Sequence, residues 1–153
     1  MKRSTKFMGK KIFLLIATAI GAVIAGFLVI QLIPYGRNHS NPPVLSEPQW
    51  PDAQTRALAK RACFDCHSNE TTWPWYSNIA PISWITQHNV NEGRSKLNFS
   101  EWNNGGRGEG AHEMVGAVQE GEMPPFDYLI MHPNARLSEA ERQQLIQGLS
   151  QLR

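Results

Sequence analysis

The chain has 153 residues, room for one domain, with 15 basic and 13 acidic residues and a formal net charge of +2. That total hides an asymmetry. The first eleven residues hold Lys2, Arg3, Lys6, Lys10 and Lys11 and no acid, whereas the rest holds 10 basic against 13 acidic residues, a net charge of −3. A basic face for nucleic acid is therefore not expected, because the basic excess sits entirely beside an apolar run.

In chain order, the basic stretch 1–11 leads into Ile12 to Ile33, "IFLLIATAIGAVIAGFLVIQLI", uncharged and with one Gln near its end. At ~1.5 Å per residue the run spans about 33 Å, enough for a bilayer core of roughly 30 Å. A cleavable signal peptide is the competing reading, but its apolar region is shorter and ends at a small-residue cleavage site. Here "ATA" falls inside the run and "PYGRN" follows it. The pattern predicts an uncleaved signal anchor. Five positive charges before the span and only Arg37 soon after it predict a cytoplasmic N-terminus in a bacterial inner membrane, with the remainder in the periplasm.

Residues 34–51 contain Pro34, Pro42, Pro43, Pro48 and Pro51. Such proline density disfavours helix and sheet and predicts an extended, stiff linker holding the next domain off the membrane. Residues 52–153 read as short helices and loops. Asp52 can cap a helix "AQTRALAKRA" running into Cys63. A second helix is predicted from near Pro81 to about Asn91, with Ile82 and Ile85 on one face. Asn103 to Gly110 reads as a loop, and Met114, Ala117 and Val118 as a third helix closed by Gly121. In the last helix Ser138 and Glu141 form a capping box ahead of the stripe Leu145, Ile146, Leu149 and Leu152. No segment alternates with a two-residue period, so the fold class is all-α: a small helical domain after one transmembrane helix. Its few apolar residues suit a core completed by an apolar cofactor.

The two cysteines of the chain lie in "CFDCH", Cys63 to His67. C-x-x-C-H is the attachment sequence of c-type haem. Two thiols three residues apart on a helical turn lie on one side and can both bond haem vinyl groups, while the next imidazole reaches the iron. A thioredoxin-like dithiol needs a neighbouring βαβ pattern, which is missing. A structural zinc site needs four Cys or His ligands, and His39, His67, His88, His112 and His132 contain no H-x₃₋₅-H pair. A bare disulfide outside the cytoplasm leaves His67 unexplained. One covalent haem c is the expected cofactor, with His67 on the iron.

Met or His commonly takes the opposite position, and Met raises the potential. Met123 in "GEMPP", in a Gly/Pro-rich loop after a helix, is the leading candidate; His88 and His132 are its rivals, and Met114 and Met131 are expected in the core. Trp73, Trp75, Tyr76 and Trp84 follow the attachment site and are expected to wall the haem, since aromatic rings cover porphyrin edges. Arg94 and Lys96 are candidate propionate partners.

The residues resemble the haem-binding domain family of small bacterial c-type haem proteins. The resemblance covers "QLIPYGRNHSNPPV", then "CFDCHSNETTWPWYSNIAPISWITQHNVNEGRSKLNFSEW" and "EGEMPPFDYLIMHPNARLSEAERQQL", nearly all of the chain beyond Gln31. It implies haem-linking roles for Cys63 and Cys66, an axial role for His67, and the methionine of the "GEMP" segment for Met123. Members of the family can accompany cytochrome c or di-haem peroxidase domains, which implies redox proteins as partners. The expectation is a membrane-anchored periplasmic monohaem cytochrome that transfers electrons and is not itself an enzyme. The alternative is a haem-based sensor or peroxidase-associated haem subunit, although no distal His with an Arg placed to split a peroxide is evident.

Overall fold

The computed structural model describes residues 2–108 and 110–152. Of the basic stretch 1–11, Met1 and the side chains before Met8 lie outside the described residues, as does Glu109 of the loop expected at Asn103 to Gly110. The fold is all-α, as the sequence predicts. Seven helices are described: α1 (Lys2–Ile30), α2 (Ala53–Ala62), α3 (Phe64–His67), α4 (Ile82–Lys96), α5 (Gly110–Gln119), α6 (Phe126–Met131) and α7 (Glu139–Leu149). Short 3₁₀ turns occupy Trp75–Asn78 and Pro133–Ala135. Among the described residues no strand forms; one isolated bridge pairs Ser46 with Glu101.

Helix α1 carries an apolar stretch, Met8–Ile30, long enough to cross a membrane. The next helices start where polar caps allow. Asp52 accepts hydrogen bonds from the Thr55 N–H (2.7 Å) and hydroxyl (2.8 Å), satisfying a donor that the first turn of α2 cannot use. Ser138 and Glu141 form the reciprocal capping box of α7. α2 packs on α7, α7 on α5, and α3 on α4, so the attachment turn is held between the two ends of the domain. The core between them holds Leu58, Phe64, Leu97, Phe99, Trp102, Val118, Leu145, Ile146 and Leu149. Phe64, Phe99 and Trp102 stack in series, with centroids 5.6 and 6.0 Å apart.

Residues 34–51 differ from the expected spacer. They are extended, but they run along the domain rather than away from it. Gly36, at φ +78°, lies so close to the Ser83 carbonyl that an added Cβ would sit 2.1 Å from its oxygen. His39 bonds Ser77, Asn41 donates to the Thr71 carbonyl, and Leu45 and Ser46 donate to the Ser100 carbonyl. Near the end of the stretch, half-buried Trp50 packs against the core, 5.3 Å from Phe99. Prolines remove donors without removing acceptors or side-chain contacts, so an extended Pro-rich strap can dock on a surface whose own groups supply the hydrogen bonds. The end of α1 is tied in too: Gln31 donates to the Ala80 carbonyl (2.9 Å) and accepts from the Ala80 N–H (3.0 Å).

The second predicted helix ends at Lys96 rather than Asn91, because nothing between those residues stops it: Gly93 sits mid-helix. Asn103 to Gly110 is not simply loop, since Trp102–Gly106 forms a wide turn with Gly105 at φ +95°. Helix α6 was not expected in the "FDYLIM" segment.

Candidate functional site

Helix α2 runs directly into the attachment turn. The Cys63 N–H still bonds Ala59 O (2.8 Å), and the Cys63 carbonyl accepts from the N–H groups of Cys66 and His67 at 3.2 and 2.9 Å. This one turn of helix puts both thiols and the imidazole on the same wall of an open cleft of about 410 Å³, within the range of small-molecule sites. Behind the turn, the Ser68 hydroxyl donates to Phe64 O and the Phe99 N–H to His67 O, both at 2.8 Å.

The His67 ring is oriented from α4. Its Nδ1 lies 3.0 Å from Gly93 O and 3.1 Å from Leu97 O, two acceptors that require Nδ1 to carry the proton. Nε2 is then the nitrogen with a free lone pair. Burial lowers the His67 pKa, keeping the ring neutral at pH 7 as a metal ligand must be. Gly93 is what lets α4 approach this closely: a Cβ there would lie 2.5 Å from the Cys66 carbonyl oxygen. Burial pushes the thiols up to about 12 for Cys63 and about 11 for Cys66, the latter helped by the Asp65 carboxylate. Both thiols are thus protonated at neutral pH and are poor nucleophiles for disulfide exchange. Among the described residues, no group of three or more His, Cys, Asp or Glu could hold a bare metal ion.

The opposite wall comes from α5, α6 and the loop between them. Two residues past the end of α5, Gly121 at φ +77° donates its N–H to Val118 O, and the N–H groups of Glu122 and Met123 return to Ala117 O at 2.9 and 3.1 Å. This cap turns Met123 into the cleft, with its side chain still 37% exposed. Leu97, Phe99, Val118 and Leu149 supply apolar surface, and Met114 lines the same cleft while packing on the core. A thioether had been expected there only as core. Tyr128 of α6 donates a 2.7 Å hydrogen bond to Asp65, between the two cysteines, and burial with that carboxylate raises its pKa. Asp65 also accepts from the Thr72 N–H (2.9 Å), which locks the variable residues of the motif in place.

The expected aromatic wall stands elsewhere. None of Trp73, Trp75, Tyr76 and Trp84 lines this cleft. Trp73 stacks on His39 at 4.8 Å, Trp75 is mostly exposed, Tyr76 bonds His132, and Trp84 lies beside Gly36 with its indole N–H buried and unpartnered. Ser68 is extended and ends α3, so the residues that follow leave the cleft, and helices distant in sequence close it. The rival ligands are also elsewhere. His88 is exposed, 3.4 Å from Glu92, and both nitrogens of His132 are engaged, with the Tyr128 carbonyl and the Tyr76 hydroxyl. Arg94 bonds Ser68 O, Asn41 and Thr71 rather than facing the cleft, whereas Lys96 stands on its rim.

An apolar cleft with two thiols and a neutral, oriented imidazole on one wall and thioethers opposite fits a haem in donor chemistry and shape. The site thus defines a haem-binding protein. A family model described as a haem-binding domain matches residues 25–151, and the chain belongs to that family. The match includes the strap and the end of α1, as their packing onto the domain requires. No curated protein and no solved structure matches the chain.

Proposed function

We propose that the protein is a membrane-anchored monohaem c-type cytochrome that passes electrons at the periplasmic face of a bacterial inner membrane. The observation that carries this reading is that Cys63, Cys66, His67 and Met123 all line one apolar cleft. Cys63 and Cys66 would hold the haem by adding each S–H across one vinyl group, an addition that needs no oxidant and loses no atom. When bound, the haem supplies a one-electron iron couple. His67 holds its Nε2 toward the cleft because two main-chain carbonyls fix the Nδ1 proton, which also raises its basicity as a ligand. Met123 would offer its thioether sulfur to the iron from the opposite wall, and Leu97, Phe99, Val118 and Leu149 would cover the porphyrin with apolar surface. The protein then has no need of a substrate site and acts as a carrier rather than an enzyme.

Among the described residues, Asp65, Glu92, Glu113, Glu122 and Asp127 line the cleft against one Lys, Lys96, a field that favours a basic redox partner through salt-sensitive encounters. Other cytochromes and di-haem peroxidases are the partner class that this surface and the family suit. One feature favours a second reading, a haem sensor or peroxidase-associated subunit: Met123 is partly exposed and Met114 offers a second sulfur, so the distal position is open to exchange.

The test is the full chain matured with its haem, stained for haem after denaturation and recorded in both redox states. Covalent haem and a weak red-end methionine-to-iron band, lost in Met123→Ala and kept in Met114→Ala, are expected. Absence of covalent haem overturns the reading. Rapid carbon monoxide binding by the wild type moves it to the sensor class.

A further inference from the structure

Residues 71–91, "TTWPWYSNIAPISWITQHNVN", contain no Asp, Glu, Lys or Arg, although charged residues make up 18% of the chain. This stretch forms the turn Trp75–Asn78 and most of α4, which pack on each other. One side of it is buried, with Ala80, Ser77, Ser83 and Val90 inside, and the other side faces outward. Trp75 is 74% exposed, Ile82 44% and Ile85 54%, and Ile82 and Ile85 share with Pro74 and Met131 a groove that continues to Asp65, Cys66, Asp127 and Tyr128 of the haem cleft. The stretch also has a fixed position. Gln31, the residue after the apolar stretch of α1, bonds both main-chain groups of Ala80, and Gly36 rests on Ser83. Exposed Leu32, Ile33 and Tyr35 lie in the intervening segment.

We infer that this uncharged face, carrying Trp75, Ile82 and Ile85, rests in the interfacial layer of the bilayer that α1 crosses, so that the haem domain lies against the lipid in one orientation. The inference depends on the membrane-anchor reading above. If Ile30 ends the span, the two Gln31 hydrogen bonds hold Ala80, and with it the first turn of α4, at headgroup depth. Exposed Trp and Tyr beside apolar branched side chains, without charge, are the composition that this layer favours. A redox partner or a second copy would face the same groove, but nothing holds either at this end of the molecule, whereas the lipid is brought there by the chain itself.

The test replaces single exposed residues of the full-length haem protein, in native membranes, with the photoreactive amino acid benzoylphenylalanine. The positions are Trp75, Ile82 and Ile85, with Leu15 in the span and Gln144 on α7 as controls; α7 packs on α2 and α5. An unchanged haem spectrum shows that each variant folds. Irradiation is expected to give phospholipid adducts, read by mass, at 75, 82, 85 and 15, and none at 144. Adducts at 15 but none at 75, 82 and 85 overturn the docked orientation and leave the anchor standing. No adduct at 15 removes the anchor and the docking together. Protein adducts at 82 or 85, to another protein or to a second copy, assign the face to that partner and overturn the inference.

Discussion

The two walls of the haem cleft are built differently. The wall with Cys63, Cys66 and His67 is one helical turn clamped on every side: α2 leads into it, Asp65 is held by Tyr128 and Thr72, and His67 is held by two carbonyls of α4. The wall with Met123 is a loop that depends on two main-chain hydrogen bonds to one carbonyl, Ala117 O, and its side chain is partly in solvent. In the proposed cytochrome, the wall that would carry the thioether and iron bonds is the rigid one, and the loop that would offer a weak, replaceable sulfur can vary at little cost to the fold.

The largest break of this contrast is Gly93→Ala. The new methyl meets backbone, not a flexible side chain, so α4 must move off the attachment turn. We expect a loss of about 2 kcal/mol in denaturant unfolding and a marked fall in covalent haem yield. An unchanged yield would show that the His67 wall tolerates displacement. Met123→Ala should act in the opposite sense, removing the red-end band and lowering the midpoint potential while haem attachment stays complete. Tyr128→Phe removes the hydroxyl that α6 donates to Asp65; a loss of about 1.5 kcal/mol is expected in chemical unfolding, with axial ligation unchanged. The smallest effect lies in the strap. The Arg56 hydrogen bond holds the Glu47 carboxyl below its ordinary value, so the pair stabilises the fold above the ordinary carboxylate pKa of about 4.3. That contribution is lost as pH falls through the lowered value. Subtracting the pH–stability curve of Glu47→Gln from that of the wild type should isolate a step of under about 1 kcal/mol there, since both partners are partly exposed.

Local chemistry was legible in the sequence. Asp52, Ser138 and Glu141 cap helices because capping needs only residues within one turn, and all three do so. The Cys63–His67 turn likewise follows from its own spacing. Contacts between distant segments were not legible. Trp73, Trp75, Tyr76 and Trp84 lie near the motif in sequence, yet Ser68 adopts an extended conformation and turns the chain away. Gly93 gave a signal that went unused: a glycine inside an otherwise continuous helix marks a close approach. Residues 34–51 were read from composition alone, which sets stiffness but not whether a surface is complementary.

The Gln31–Ala80 hydrogen bonds also decide where the molecule can be shortened. Ala80 is wholly buried, so a secreted fragment beginning at Pro34 would leave its N–H and C=O without partners, about 1–3 kcal/mol each, and would strip Arg37 of its acceptor. A fragment beginning near Phe27 keeps Gln31 and with it the corner where the strap meets the domain. The shortest fragment that keeps these bonds therefore starts within the apolar helix α1.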